Sequence, residues 1–377
     1  MTSDSSQESW EVFIKSLYSP YPNQRETAVF ELPSWADSGR DVSEELATSI
    51  RDSENIVSRA AAIVTGRIDG LSDEVIDALE KRLEDSDESL RRTIVTSLGQ
   101  KGSRACPLLV HLLSDRDQVI QKYAASALEM MGVSAIDDLL KALSDVGLRR
   151  PAATVLARIG KPAISILISY LDNATSAEVR FTVVDVLEKI GPMVVPLMID
   201  GLKTGQSDKD NVVETCGRFG SDAVPALIEM LRDNDVKHRC SAATALVRIG
   251  RAAVPRLIDL ISDTNVSVGW IAAQSLTQIG AAAVPDLIQA LATTERATRW
   301  VVSEILIGIG SQSVEALTKA VLHNDSLIRS AAAHSLAEIG EPARIAVSTL
   351  KEALKCEKDT DVCDVLRESI EKLSNHE

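Results

Sequence analysis

His334 and Glu338 stand four residues apart, so one helix presents both on the same face, and Glu304 lies thirty residues earlier. One imidazole with two carboxylates is the chemistry of a divalent-metal half-site. The set has no second histidine, so the expectation is solvated side chains and no bound metal. His111, His238 and His323 fall near helix ends or links and read the same way. The five cysteines, Cys106, Cys216, Cys240, Cys356 and Cys363, form no CxxC pair, which reads as reduced thiols in a cytoplasmic protein. There is no Gly-rich phosphate loop, no GxSxG elbow and no Cys/His dyad, so no catalytic residue is assigned and no cofactor is implied. Tryptophan and arginine are the side chains that most often anchor binding surfaces. Trp270 and Trp300 are separated by thirty residues, and arginines recur through the chain. The chemistry on offer is therefore recognition more than reaction.

That thirty-residue interval belongs to the chain itself. Residues 221–340 fall into four rows of 30, each ending in Ile-Gly, at Gly250, Gly280, Gly310 and Gly340. Within the first row, Ala223, Val224, Leu227, Ile228 and Leu231 recur at helical spacing. Pro225 suits an opening turn, and Ser221 reads as the N-cap. Asp233-Asn234-Asp235 makes a turn. A second helix then runs to Ile249 and stops at Gly250, with Ala242, Leu246 and Ile249 on its buried side and Ala272, Leu276 and Ile279 repeating them one row later. Neither helix is apolar enough to fold alone, so hairpins must stack to complete a core.

The same register extends upstream through Gly220, Gly191, Gly160, Gly132 and Gly102, then Asp69 and Ala36, and downstream to a row closing near Ser374. About twelve hairpins result. Residues 1–377 form a single solenoid, in which 1–39 (with Trp10, Phe13, Tyr18, Phe30 and Trp35) cap the N-terminus, 40–340 are repeats and 341–377 cap the C-terminus. Hydrophobic residues make up 45% of the chain but aromatic ones only 3%, which suits closely packed helices of Ala, Leu, Ile and Val. The formal charge of −15 argues against a general nucleic-acid binder. The first ten residues carry no signal-peptide pattern, and no segment approaches 18 consecutive apolar residues, so no membrane insertion is expected.

Eleven residues before each closing position stand Arg25, Arg91, Arg149, Arg180, Arg239, Arg299 and Arg329, with Lys209 in the same column. Acidic turn residues such as Asp87, Asp172, Asp235 and Asp325 precede many of them. The expected role is structural: a ladder of Asp caps and Arg partners locking the links, in preference to an anion-binding stripe.

The order AVPxLIxxL, then D, then (V/I/L)R, then AAxxL and a closing IG resembles the short HEAT repeat, the form first associated with phycobilisome lyases. The resemblance covers nearly the whole chain and implies an all-α, right-handed α-α superhelix. It also implies that the second helices line a concave face, the usual binding surface. Relatives of the deoxyhypusine hydroxylase type hold iron with repeated His-Glu pairs, whereas the one such pair in this chain is His376-Glu377.

Ten residues before the closing position, on the side facing away from the core, the column reads Arg59, Arg92, Lys122, Arg150, Phe181, Asp210, Cys240, Trp270, Trp300, Ser330. Arg67, Arg158, Lys189, Arg218 and Arg248 reinforce the basic part at minus two. Helix packing puts the two tryptophans roughly 10 Å apart, either sealing a groove or offering a hot spot. The expected contact surface is Trp270, Trp300, Ile307 and Arg248, extended by Arg59, Arg92, Arg150 and Arg158. Its basic and aromatic ends would suit an extended acidic peptide with one apolar anchor. The expected function is a non-catalytic scaffold or adaptor that binds a protein partner. The alternatives are a phycobilin lyase-like or lyase-chaperone protein acting on a tetrapyrrole-bearing partner, and nucleic-acid binding by the basic stripe.

Overall fold

The computed structural model describes residues 2–85, 87–292 and 295–374. Every regular element among the described residues is helical. The chain divides into two compact units, Met1–Ile190 and Gly191–Glu377, each built of six successive helical hairpins.

In the first unit the hairpins' second helices include α1 (Asn55–Thr65), α2 (Glu88–Gly99), α3 (Gln118–Met131), α4 (Arg149–Ile159) and α5 (Ala177–Ile190), each packed on the next. In the second unit they are α6 (Lys209–Phe219), α7 (Val236–Ile249), α8 (Val266–Ile279), α9 (Arg296–Ile309), α10 (Ser326–Ile339) and α11 (Thr360–Ser374). These again pack in series, while the shorter first helices stack beside them as another layer. Fully buried aliphatics from both layers meet between them, for example Leu227 and Leu246, Leu257 and Leu276, and Leu287 and Leu306. Each such leucine contributes about 1.5–3 kcal/mol, which the lone hairpin lacks for want of a neighbour to cover it. Ile249 and Ile279, expected to be buried, are half-exposed, because the final turn of each second helix has passed the core's edge.

Turn chemistry accounts for the hairpins. Asp233 Oδ1 accepts from the Asp235 amide at 2.9 Å, and the Asp235 carboxylate caps α7 through the Lys237 amide at 2.8 Å. The Asp263 and Asn265 pair repeats this at α8, and Asp87 and Asp325 cap α2 and α10. Asp172, expected to cap, instead lies within the helix Ile164–Asn173. Removing one cap leaves an amide without its acceptor. Asp235→Ala is expected to cost about 1 kcal/mol, read as faster hydrogen exchange in the first turn of α7.

Gly250 ends α7 with φ 72° and ψ −130°, its amide donating to the Leu246 carbonyl. The positive φ agrees with expectation, but the ψ belongs to the mirror of extended backbone, a region nearly reserved for glycine. The turn then runs directly into a 3-10 segment, Gly250–Ala253, before the next helix. The equivalent segment in the previous row, Gly220–Ala223, absorbs Ser221, which is therefore not an N-cap; the following helix opens with Pro225 and no side-chain cap. In the two most divergent rows the positive-φ positions are Gly70 and Gly39, not Asp69 and Ala36, since a Cβ makes that backbone costly.

The arginine column is structural. Arg25, Arg149, Arg180, Arg239 and Arg329 each donate to the carbonyl six residues earlier (Ser19, Leu143, Ala174, Asp233 and His323), between 2.8 and 2.9 Å. That carbonyl belongs to the link between the hairpin's two helices. Arg25 also grips Asp52 at 2.7 Å, and Arg91 grips Asp115 at 2.7 Å, tying successive hairpins together. At the N-terminus the rings of Trp10, Phe13 and Trp35 cluster with centroids 5.0–5.5 Å apart, and the Arg40 guanidinium lies 4.3 Å over Trp10. Tyr18 and Phe30, expected to join them, are exposed instead. No single helix is long and apolar enough to cross a membrane among the described residues.

Candidate functional site

Trp270 on α8 and Trp300 on α9 are 63% and 62% exposed. Their place in the repeat causes this: the core-facing positions of the same helices are taken by Ala272 and Leu276, and by Val302 and Leu306, all fully buried. Before Trp270 stands Gly269, where a Cβ would come within 3.0 Å of the Ile261 carbonyl oxygen. The missing side chain lets α8 settle against the preceding link and leaves the indole facing outward. Neither indole contacts another aromatic ring among the described residues, so the space between them is open.

That space is a groove of about 640 Å³ whose walls include Ile261, Val266, Trp270, Gln274, Trp300 and Glu304. Helical geometry aligns the polar groups: Gln274 lies one turn beyond Trp270, and Glu304 one turn beyond Trp300. Asp263 on the rim is paired with Arg232 at 2.6 Å, and its carboxyl is held below the usual range, chiefly by the Asn265 amide and then by Arg232. Glu304 has no hydrogen bond or ion pair among the described residues.

Trp300 also forms a wall of a second groove of about 400 Å³, with Arg296, His334, Glu338, Glu368 and Lys372. Glu338 accepts from Lys372 Nζ at 2.7 Å, and that contact lowers its carboxyl's affinity for a proton. The possible metal half-site is thus divided. His334 and Glu338 face one groove, Glu304 the other, and no group of three metal-ligating side chains converges among the described residues. The pair His376-Glu377 lies outside the described residues.

The remaining expected contact residues are not gathered here. Ile307 is half-buried, and its neighbour Gly308 packs against Thr277. Arg248 lays its stem on Gly217 and extends to within 3.8 Å of Glu214, turned back onto α6. Arg59, Arg92, Arg150 and Arg158 belong to the other unit. There Arg59 lies 3.8 Å from Asp87, Arg92 pairs with Glu88 and rests 6.0 Å from the Tyr123 ring, and Arg158 meets Glu129 at 2.5 Å. Lys189 is similarly held by Asp185 at 2.8 Å. Arg150 is exposed. Arg59, Arg92, Arg158, Lys189 and Arg248 thus each lie within 4.0 Å of a carboxylate, whereas Arg150 has no such partner among the described residues. Glu304 and Gln274 were not foreseen as parts of the groove. Both sit six residues before a closing glycine, and reading that column beside the tryptophan column would have placed them next to the rings.

The thiols divide by burial. Cys106 and Cys216 lie in the core, and burial pushes them up to about 11 and about 12, too high for a reactive thiolate at neutral pH. Cys240 and Cys356 are exposed.

Comparison with solved structures returns other helical-repeat chains. Kap121p bound to Nup53p aligns at 14% identity and a TM-score of 0.29, over 96% of this chain and 50% of that one. The complex of CpcE and CpcF of phycocyanin lyase from Nostoc gives 24% identity and a TM-score of 0.24, over 39% and 97%. Human deoxyhypusine hydroxylase in complex with glycerol gives 18% identity and a TM-score of 0.26, over 84% and 99%. The chain thus spans about half the length of the karyopherin it matches. Nothing among the curated proteins matches the sequence. The sequence pattern of HEAT repeats matches residues 11–94, 76–147, 206–277, 224–300 and 284–371. With that pattern running through both units, and with two-helix hairpins stacked in each, the chain belongs to the HEAT-repeat family.

Proposed function

We propose that the chain is a non-catalytic scaffold that captures a polypeptide partner on the second-helix layer of its C-terminal unit, with α8 and α9 as the anchor. One observation carries this reading. Two tryptophans of adjacent helices are both more than half exposed and wall the same open groove. Exposing such rings to water is unfavourable, and filling the groove would recover apolar burial on both sides. Compensation of the arginine stripe by Asp87, Glu88, Glu129 and Glu214 favours a protein partner over nucleic acid, which needs cations free to meet phosphates.

Capture by the immobilised chain, followed by cross-linking and mass spectrometry, tests the reading. Cross-links from a recovered polypeptide should concentrate on α8 and α9. Cross-links confined to the first-helix layer would overturn it. A pigment-coloured preparation would point to the lyase-like alternative, and affinity falling steeply with salt to nucleic acid.

A further inference from the structure

From the groove between Trp270 and Trp300 we infer that its guest is the side-chain cation of a lysine or arginine in the partner polypeptide. This inference rests on the protein-docking reading above and supplies the chemistry of the contact. An indole face attracts a cation through its quadrupole, and two indoles line this groove. One turn from Trp300, the Glu304 carboxylate has no partner among the described residues. One turn from Trp270, the Gln274 amide carbonyl can accept a further N–H.

Each rival guest meets an obstacle. A leucine or phenylalanine would cover Glu304 with hydrocarbon and leave a desolvated, unpaired charge, which offsets the apolar gain. An acidic side chain would be repelled by Glu304, whose carboxylate has no partner among the described residues. A cation gains both the ring faces and a charge-assisted hydrogen bond.

Among the described residues no cation lines this groove, and Arg296 and Arg299 of α9 wall the other one. The helix α8, VSVGWIAAQSLTQI, contains no charged residue. Arg232 is committed to Asp263 at 2.6 Å, and Arg248 is turned toward Glu214. The net charge of −15 draws a basic segment toward the chain over longer distances. The partner expected from the sequence was acidic. That expectation depended on free arginines, and the ion pairs of Arg92, Arg158 and Arg248 weaken its basis.

The test uses the full chain and three capped pentapeptides, Gly-Gly-X-Gly-Gly, with X as Arg, Leu or Glu. Binding is followed by the indole Nε1–H resonances of Trp270 and Trp300, assigned through the single alanine variants. The arginine peptide should shift both resonances in the millimolar range, and Glu304→Gln should weaken it about tenfold. Stronger binding of the leucine or glutamate peptide, or an arginine peptide indifferent to Glu304→Gln, would overturn the cationic guest. So would the absence of any shift with all three peptides. The docking reading is decided separately by the cross-links: partner contacts on α8 and α9 with no cation preference would keep that reading and discard this one.

Discussion

Replacing Trp300 by alanine is expected to weaken partner capture by about 30-fold or more, while thermal stability stays within about 0.5 kcal/mol of the parent chain. Both halves follow from the same geometry. The indole is 62% exposed, so little native packing is lost when it goes. It is also the wall shared by the two grooves, and its removal joins them into one shallow depression that no longer encloses a guest. The measurement is the dissociation constant for the cross-linked partner beside a melting curve of the same preparation. A variant that loses stability in proportion to binding would mean that the ring supports the fold. Of these two grooves Trp270 lines just the larger, so its alanine variant should lose less affinity.

A comparably large effect, on stability instead of binding, is expected at Arg329. Its guanidinium holds Glu357 through two bonds, at 2.6 and 3.0 Å, and donates to the His323 and Asn324 carbonyls at 2.8 and 2.9 Å. This one side chain therefore fastens the link before α10 to the link before α11. Arg329→Ala leaves the Glu357 carboxylate, whose side chain is only 6% exposed, with the Lys358 and Asp359 amides but no countercharge, and should cost about 3 kcal/mol. In a repeat stack such a loss stays near its source, so it should appear as faster hydrogen exchange throughout α11 before any change in the first unit. Unaltered exchange in α11 would show that the pair contributes nothing.

The pH dependence of this contact has a definite sign. The Arg329 hydrogen bond, with help from the Asp359 and Lys358 amides, lowers the Glu357 carboxyl from 4.5 to about 2. The native state therefore binds this proton less readily than the unfolded chain does. The resulting stability is fully present above pH 4.5 and is lost as the pH falls through about 2. Arg329→Ala removes the largest cause, so its stability should vary less over that interval than the parent's.

Much of the architecture was legible before any coordinates. Helical spacing of Val224, Leu227 and Ile228, the D-x-D links and the closing glycines are local instructions, each acting within about one helical turn. Copied down the chain, they determine hairpins and their stacking. Corrections fell where a local rule had more than one solution: Ser221 joined a 3-10 turn, and the backbone reversal used Gly70 instead of Asp69.

The site was half legible. By itself the sequence determined which residues stand on the outward side of the second helices, because the repeat register assigns a side of the helix to every position. Only the tertiary structure decided which of them are available. Arg158 and Arg248 occupy outward positions as surely as Trp270 and Trp300 do, yet both are engaged by carboxylates of the preceding hairpin, Glu129 in one case and Glu214 in the other. The physical reason is that a charge is spent on whichever opposite charge comes within a few ångströms, commonly from a neighbouring hairpin, whereas an indole on an outward position whose core neighbours are already filled has nothing to fold onto.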